Sequence, residues 1–260
     1  MGRPLRFTPP RSVPGTELRV GTSGFTYEDW KGRFYPPEVK KRAWLEYYCQ
    51  HFDTVEINMS YYHLPRPAVC EAWRRRSPDR FCFAMKLWGN ITHRRRLVHC
   101  EEPLETYLES ARRLGDKLGP ILVQLPPKLN ADADRLDKFL DICPSHCRWA
   151  VEFRNTDWLR QDVYDVLRAH KAALVIHDLI PDHPEVLTTD WTYLRFHGTA
   201  AEKYHGEYGD DLLRPSAARI REHLAAGRDV FAYFNNDYDC HAVYDALRLK
   251  RLVMGQGGGQ

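Results

Sequence analysis

The chain has 260 residues, 43% of them hydrophobic and 28% charged, and its 38 Lys and Arg against 35 Asp and Glu leave a formal net charge of +3. That length is close to the roughly 250 residues of a single (β/α)8 barrel and allows a large buried core, while so small a charge excess does not by itself establish a nucleic-acid partner and leaves local basic clusters open. No apolar run approaches the roughly 18 residues of a membrane span, and the Pro- and Arg-rich start MGRPLRFTPPRSVPGTE has no apolar leader segment, so a cytoplasmic protein without membrane contact is expected.

The pattern reads as a loose N-terminal arm over 1–16, one domain over 17–252 and a Gly-rich flexible tail over 253–260. Eight short apolar runs follow one another in that domain: ELRVGTSGF, TVEINMSYY, RFCFAMKLW, GPILVQLPP, RWAVEFRN, AALVIHDL, WTYLRFHGT and RDVFAYFNND. Between them, helical spacing predicts helices over 40–51, 67–77, 103–117, 132–143, 158–170, 212–226 and 241–250. Pro67 and Pro103 suit first-turn positions, where a missing N–H costs nothing. The sixth crossover, IPDHPEVLTTD, has two prolines and no convincing helix, so a loop is expected there. Strands alternating with helices define an α/β class, a single (β/α)8 TIM barrel with a poorly helical sixth crossover. In such a barrel, function belongs at the C-terminal ends of the strands.

Strand parity narrows the search. Val55 and Ile57 oppose Glu56 and Asn58, and Met85 and Leu87 oppose Lys86. Val123 and Leu125 oppose Gln124, Val151 and Phe153 oppose Glu152 and Arg154, and Leu194 and Phe196 oppose Arg195 and His197. Large apolar groups belong between sheet and helices, which turns Glu56, Lys86, Gln124, Glu152, Arg154, Arg195 and His197 inward. Burying so many ionisable groups is costly unless they pair with one another or with a ligand.

In order along the chain stand GTSGF with Trp30 and FYP, YYCQHFDTVEINMSYY, FAMK, Thr92 with His93, QLPP, AVEFRNTDW, LRFHG and YFNND. On these pieces the chain resembles the YecE-like family, a domain of unknown function, from Gly21 to about Leu247. The resemblance implies a TIM-barrel fold and brings no established reaction. Phe25 stands where the family pattern often has Trp, an exchange that leaves stacking intact.

Glu56 and Glu152, near the ends of strands two and five, are candidates for a general acid and base, the carboxylate pair that glycoside hydrolysis also uses. The competing reading is an ion-pair lattice of Glu152 with Arg154 or Arg195, and Glu56 with Lys86. Lys86, Arg154 and Arg195, with the run His93 to Arg96, suit an anionic small molecule or a nucleic-acid fragment. Neighbouring glutamates would raise the Lys86 pKa, which favours anion binding over imine chemistry. His197 is a candidate to shuttle or orient a proton. Gln124, Trp158, Tyr233, Asn235, Asn236 and Asp237 complete the expected ligand contacts. No cofactor is predicted; a divalent metal, if one binds, would draw on His177, Asp178, His197 and Asp237. The seven cysteines include no CxxC pair and read as reduced thiols, Cys143 and Cys147 included. These residues together suggest an enzyme with hydrolytic or acid–base chemistry on an anionic, phosphate-bearing ligand. A carboxylate-pair glycosidase and a non-catalytic metabolite or single-strand binding module remain the alternatives.

Overall fold

A computed structural model describes residues 16–200, 202 and 204–255. Most of the arm expected over 1–16, and of the tail expected over 253–260, lies outside the described residues. Eight strands are formed: β1 (Leu18–Thr22), β2 (Thr54–Ile57), β3 (Cys82–Lys86), β4 (Leu118–Gln124), β5 (Trp149–Glu152), β6 (Ala173–His177), β7 (Trp191–Phe196) and β8 (Asp229–Phe234). Their order in one sheet is β1-β8-β7-β6-β5-β4-β3-β2, the order of an α/β fold of the TIM-barrel type. Helices α1 (Trp44–Tyr48), α2 (Met59–Tyr62), α3 (Pro67–Arg76), α4 (Glu101–Ala111), α5 (Ala133–Asp141), α6 (Gln161–Ala169), α7 (Gly209–Ala225) and α8 (His241–Val253) lie between or after them.

The chain divides into two compact units, one of residues up to 55 with 194 onward, the other of residues 56–193. In the first, β1 pairs parallel with β8 from Leu18 opposite Val230 to Thr22 opposite Phe234. Gly21 is required here by close approach: a Cβ on it would lie 2.4 Å from the carbonyl oxygen of Thr54. Backbone cannot retreat as a flexible side chain can. Gly21→Ala is therefore expected to cost about 1–3 kcal/mol, a fall in melting temperature of roughly 3–10 °C by calorimetry. An unchanged melting temperature would show that the two strands separate freely. Aromatic packing stiffens the segment after β1: Tyr35 stacks on Trp44 at 4.5 Å, and the Trp30 indole donates to the Asp237 carbonyl at 2.9 Å.

In the second unit β3, β4, β5 and β6 pair parallel in turn. The β4–β5 register sets Gln124 beside Glu152, so two polar residues share the C-terminal end of that pair. Both parities of β5 and β6 are buried, as a parallel sheet covered on both faces requires. Pro67 opens α3 at its first turn, and the Asp132 carboxylate caps α5 by accepting from the Arg135 N–H. Among the described residues, no helix forms between β6 and β7. Instead the Thr188 hydroxyl accepts from the Leu174 N–H and donates to the Ala172 carbonyl, tying the crossover to the strand start.

Several boundaries differ from the sequence pattern. The run TVEINMSYY is not one strand: Asn58 turns helical at φ −83°, ψ −26°, and α2 follows. The Ser60 hydroxyl, bonded to the carbonyls of Ile57 and Lys86, ties this turn to the strand ends, and Met59, which unbroken strand parity would set with Val55 and Ile57, is 46% exposed. The predicted 40–51 helix is a 3-10 turn, Lys41–Ala43, followed by the short α1. The predicted 103–117 helix starts at Glu101 and tightens into a 3-10 segment, Arg112–Lys117, where Gly115 has φ +59°. His93, between the third apolar run and the predicted 103–117 helix, sits in a π-helical turn, Asn90–Arg94.

Candidate functional site

In the second unit the polar strand ends gather around β3 and β5. Glu152, the last residue of β5, is fully buried, and Arg154, two residues on, turns its guanidinium back to pair with that carboxylate. The same-parity spacing read from the sequence is what lets the two meet. Lys86, the last residue of β3, stands over the Tyr61 ring at 4.7 Å from its centre. His93 packs edge-on against that same ring at 4.9 Å, and its Nδ1 shares a hydrogen bond with the Thr92 hydroxyl at 2.9 Å. Burial first, then the charges of Lys86 and Arg154, push the His93 pKa down to about 4. Its imidazole is neutral at pH 7, beside the Lys86 ammonium and an Arg154 guanidinium that is itself paired with Glu152.

Glu56 is also fully buried, and accepts a hydrogen bond of 2.6 Å from the Tyr193 hydroxyl. Gln124 is buried and donates from Nε2 to the Leu125 carbonyl, which fixes the amide along its own strand end.

His183 belongs to this unit too, and the sequence pattern does not single it out. It lies in the helix-free crossover after β6, its ring 4.8 Å from that of His177. Its Nδ1 donates to the Pro184 carbonyl at 3.0 Å, so Nε2 carries the lone pair, and that nitrogen is buried with no hydrogen-bond partner among the described residues. Burial and the neighbouring His177 bring its pKa down to about 4, against opposing effects from the Pro184 bond and the Glu152 charge. The available signal is the position itself, a histidine in a loop following a strand's C-terminal end.

In the first unit, Arg195 and His197 are buried on β7 and just beyond it. Arg195 donates from Nη1 to His197 Nε2 at 3.2 Å and from Nη2 to the Ser23 hydroxyl at 3.2 Å. Asn235 is buried after β8, its backbone N–H donating to the Phe196 carbonyl at 2.7 Å. The Trp30 indole fixes the Asp237 backbone, as described above.

Four residues expected to touch ligand or metal are engaged elsewhere. Trp158 is buried, stacked on Phe153 at 4.9 Å, with its indole N–H on the Leu129 carbonyl; it packs the loop after β5. The buried Tyr233 hydroxyl bonds Thr54 Oγ1 at 2.7 Å. Asn236 donates to the Gly206 carbonyl and to Asp245, an acid whose pKa burial raises and whose charge Arg248 compensates. His177 uses both ring nitrogens, donating from Nε2 to the Phe153 carbonyl and accepting the Leu179 N–H at Nδ1. It therefore leaves the metal set proposed with Asp178, His197 and Asp237. Among the described residues, no group of three or more His, Cys, Asp or Glu side chains is arranged to hold a metal ion. All seven cysteines are free, and burial raises the thiol pKa of Cys143.

An open depression of about 590 Å³ lies beside the Lys86–His93 corner, walled by Tyr61, Tyr62, Trp88, Gly89, Asn90, His93 and Arg94. Arg94, Arg95 and Arg96 themselves are exposed.

An eight-stranded parallel α/β protein of the TIM-barrel type, with ionisable side chains buried at its strand ends, is thus the class defined here. Residues 19–259 match the family described as Protein of unknown function DUF72, and the chain belongs to it. The UPF0759 protein YunF of Bacillus subtilis (strain 168) is 25% identical over 91% of this chain and 94% of its own length. The UPF0759 protein YecE of Escherichia coli (strain K12) is 34% identical, but over only 43% of this chain and 41% of YecE. The crystal structure of a DUF72 family protein from Thermotoga maritima MSB8 has a TM-score of 0.82 at 30% identity, covering 91% of this chain and 99% of that one. A DUF72 family protein from Enterococcus faecalis V583, at 23% identity and a TM-score of 0.77 over 91% and 95% of the two chains, shares the fold. Among the described residues, no helix is long and apolar enough to cross a membrane.

Proposed function

We propose that this protein is an enzyme performing hydrolytic, acid–base chemistry on a small phosphate-bearing anion. The observation supporting this reading is the setting of His93, a half-buried imidazole on which Lys86 and Arg154 both press positive charge. An anion at this position relieves that field; a guanidinium grips two phosphate oxygens at once and an ammonium adds a point charge. Arriving phosphate shares Arg154 with Glu152, and the carboxylate becomes the acceptor for a proton from water. Water oxygen then bonds to phosphorus as the ester oxygen leaves, with Glu152 taking the proton. The proton that Glu152 takes from water then passes to the leaving oxygen, which restores the carboxylate; Glu56, accepting from the Tyr193 hydroxyl, keeps its sequence-based candidacy as the partner carboxylate. Arg195 and His197 keep their sequence-based candidacy for anion binding and proton transfer.

The first test is binding. Inorganic phosphate titrated into the full chain is expected to raise the melting temperature, and Lys86→Met to weaken phosphate binding about 10- to 100-fold by calorimetry. Phosphate affinity indifferent to Lys86→Met, together with no turnover of phosphomonoesters or phosphodiesters, would remove this reading.

A further inference from the structure

We propose that the ligand of this site is a nucleoside monophosphate, its planar base stacked on the exposed ring shelf of Tyr62 and its phosphate on Lys86 and Arg154. The inference rests on the phosphate reading above and adds the ligand's other half.

Three features of the depression carry it. Its size, about 590 Å³, leaves room for a small molecule lying in an open groove. Its wall is aromatic and in part uncovered: Tyr62 is 70% exposed, touching Tyr61 with one edge and leaving ring surface open to solvent. Tyr61 beneath is held from several sides, edge-on by Tyr62 at 4.9 Å and by His93, with the Lys86 ammonium over its face. Gly89 admits this arrangement, because a Cβ there would lie 2.7 Å from the Tyr61 ring. Because the two rings stand 88° apart and Lys86 covers Tyr61, the ring surface open to a base is that of Tyr62, braced by the Tyr61 edge contact.

The shelf adjoins the anion position because two residues belong to both. Lys86 covers Tyr61 and acts on His93; His93 walls the depression and feels Arg154. Asn90, on the same wall, offers the amide donor and acceptor that the edge of a base requires. It stands in the π-helical turn Asn90–Arg94, a distortion often kept at functional positions. A sugar phosphate would leave the exposed Tyr62 unused. A nucleic-acid strand needs a continuous basic track; Arg94 is the one Lys or Arg among the described residues walling the depression, and the titration below includes a strand as an outcome.

The experiment is calorimetric titration of the full chain with adenosine 5′-monophosphate, adenosine, ribose 5-phosphate, inorganic phosphate and a single-stranded oligonucleotide. The monophosphate is expected to bind at least about tenfold tighter than either adenosine or ribose 5-phosphate, the size of one base–aromatic stack. Tyr62→Ala should lose about that factor for the monophosphate and leave ribose 5-phosphate unchanged, while Tyr62→Phe, which keeps the ring, should bind like the parent. Lys86→Met should weaken both phosphates and spare adenosine. Equal affinity for the monophosphate and ribose 5-phosphate would overturn the base shelf yet leave the phosphate reading standing. If no phosphate compound binds in a Lys86-dependent way, both fall. An oligonucleotide held more than about tenfold tighter than the monophosphate, with a steep salt dependence, would overturn the free nucleotide in favour of a strand.

Discussion

Glu152→Gln is expected to lower turnover of a phosphate ester by about 10²- to 10⁴-fold, the usual worth of a positioned proton acceptor. The same variant should bind inorganic phosphate no more weakly than the parent and melt within a few degrees of it. The reasoning turns on what the amide keeps and what it loses. Its carbonyl oxygen still accepts the Arg154 hydrogen bond now made by the carboxylate, so the shape at the end of β5 is preserved. It carries no negative charge and takes no proton from water. An anion at Arg154 then meets one less repelling carboxylate, which should hold or tighten phosphate binding. A lattice role predicts the opposite pattern. Removing one charge from a buried pair costs about 3–5 kcal/mol when the pair supports the fold. Melting would then drop by roughly 6–20 °C, and any activity loss would track unfolding. Turnover per folded molecule at each temperature separates the two accounts, and undiminished turnover would remove Glu152 from the chemistry.

How much of this was legible in the sequence depends on the range of the interaction. Seven of the eight strands fall within the apolar runs and β4 starts one residue ahead of its run, because period-2 parity and buried β-branched residues are local signals. The pairing of Glu152 with Arg154 follows from the same parity, two residues apart on one face. What parity does not carry is where a strand stops. The run through Met59 keeps alternating in letters, yet the Ser60 hydroxyl bonds the end carbonyls of β2 and β3 and turns the chain into α2. That bond to Lys86 spans 26 residues and has no local trace. The same limit explains Trp158, Tyr233 and Asn236. Each has the right chemistry at a strand end, but a distant partner, Leu129, Thr54 or Asp245, takes the polar atom. His183 is the converse, a loop histidine whose burial against His177 only the folded chain reveals.

Acid should destabilise this protein through its histidines before its carboxylates are protonated. His93 and His183 titrate near 4 when folded and near 6.5 when unfolded. Above 6.5 both states are neutral and the two groups contribute no pH dependence. As pH falls from 6.5 towards 4 the unfolded chain binds the protons and the folded chain does not, so stability declines with pH across that window and levels off below it. His51 and His223, whose pKa values burial also lowers, act in the same sense; Asp245, raised by burial, opposes them at the acid end. Allowing for solvent screening at these half-buried sites, His93 and His183 together are worth about 2–4 kcal/mol. Urea midpoints measured between about pH 7.5 and 4.5 should therefore fall, and fall less steeply in His93→Gln and in His183→Gln. The two variants part company when an anion is added. Sulfate, whose charge is constant over this range, should raise the His93 pKa by offsetting Lys86 and Arg154, and so stabilise the parent more at pH 5 than at pH 7.5. His183→Gln should keep that extra acid-side stabilisation and His93→Gln should lose it. Equal stabilisation by sulfate at both pH values in the parent would mean that no anion settles beside His93.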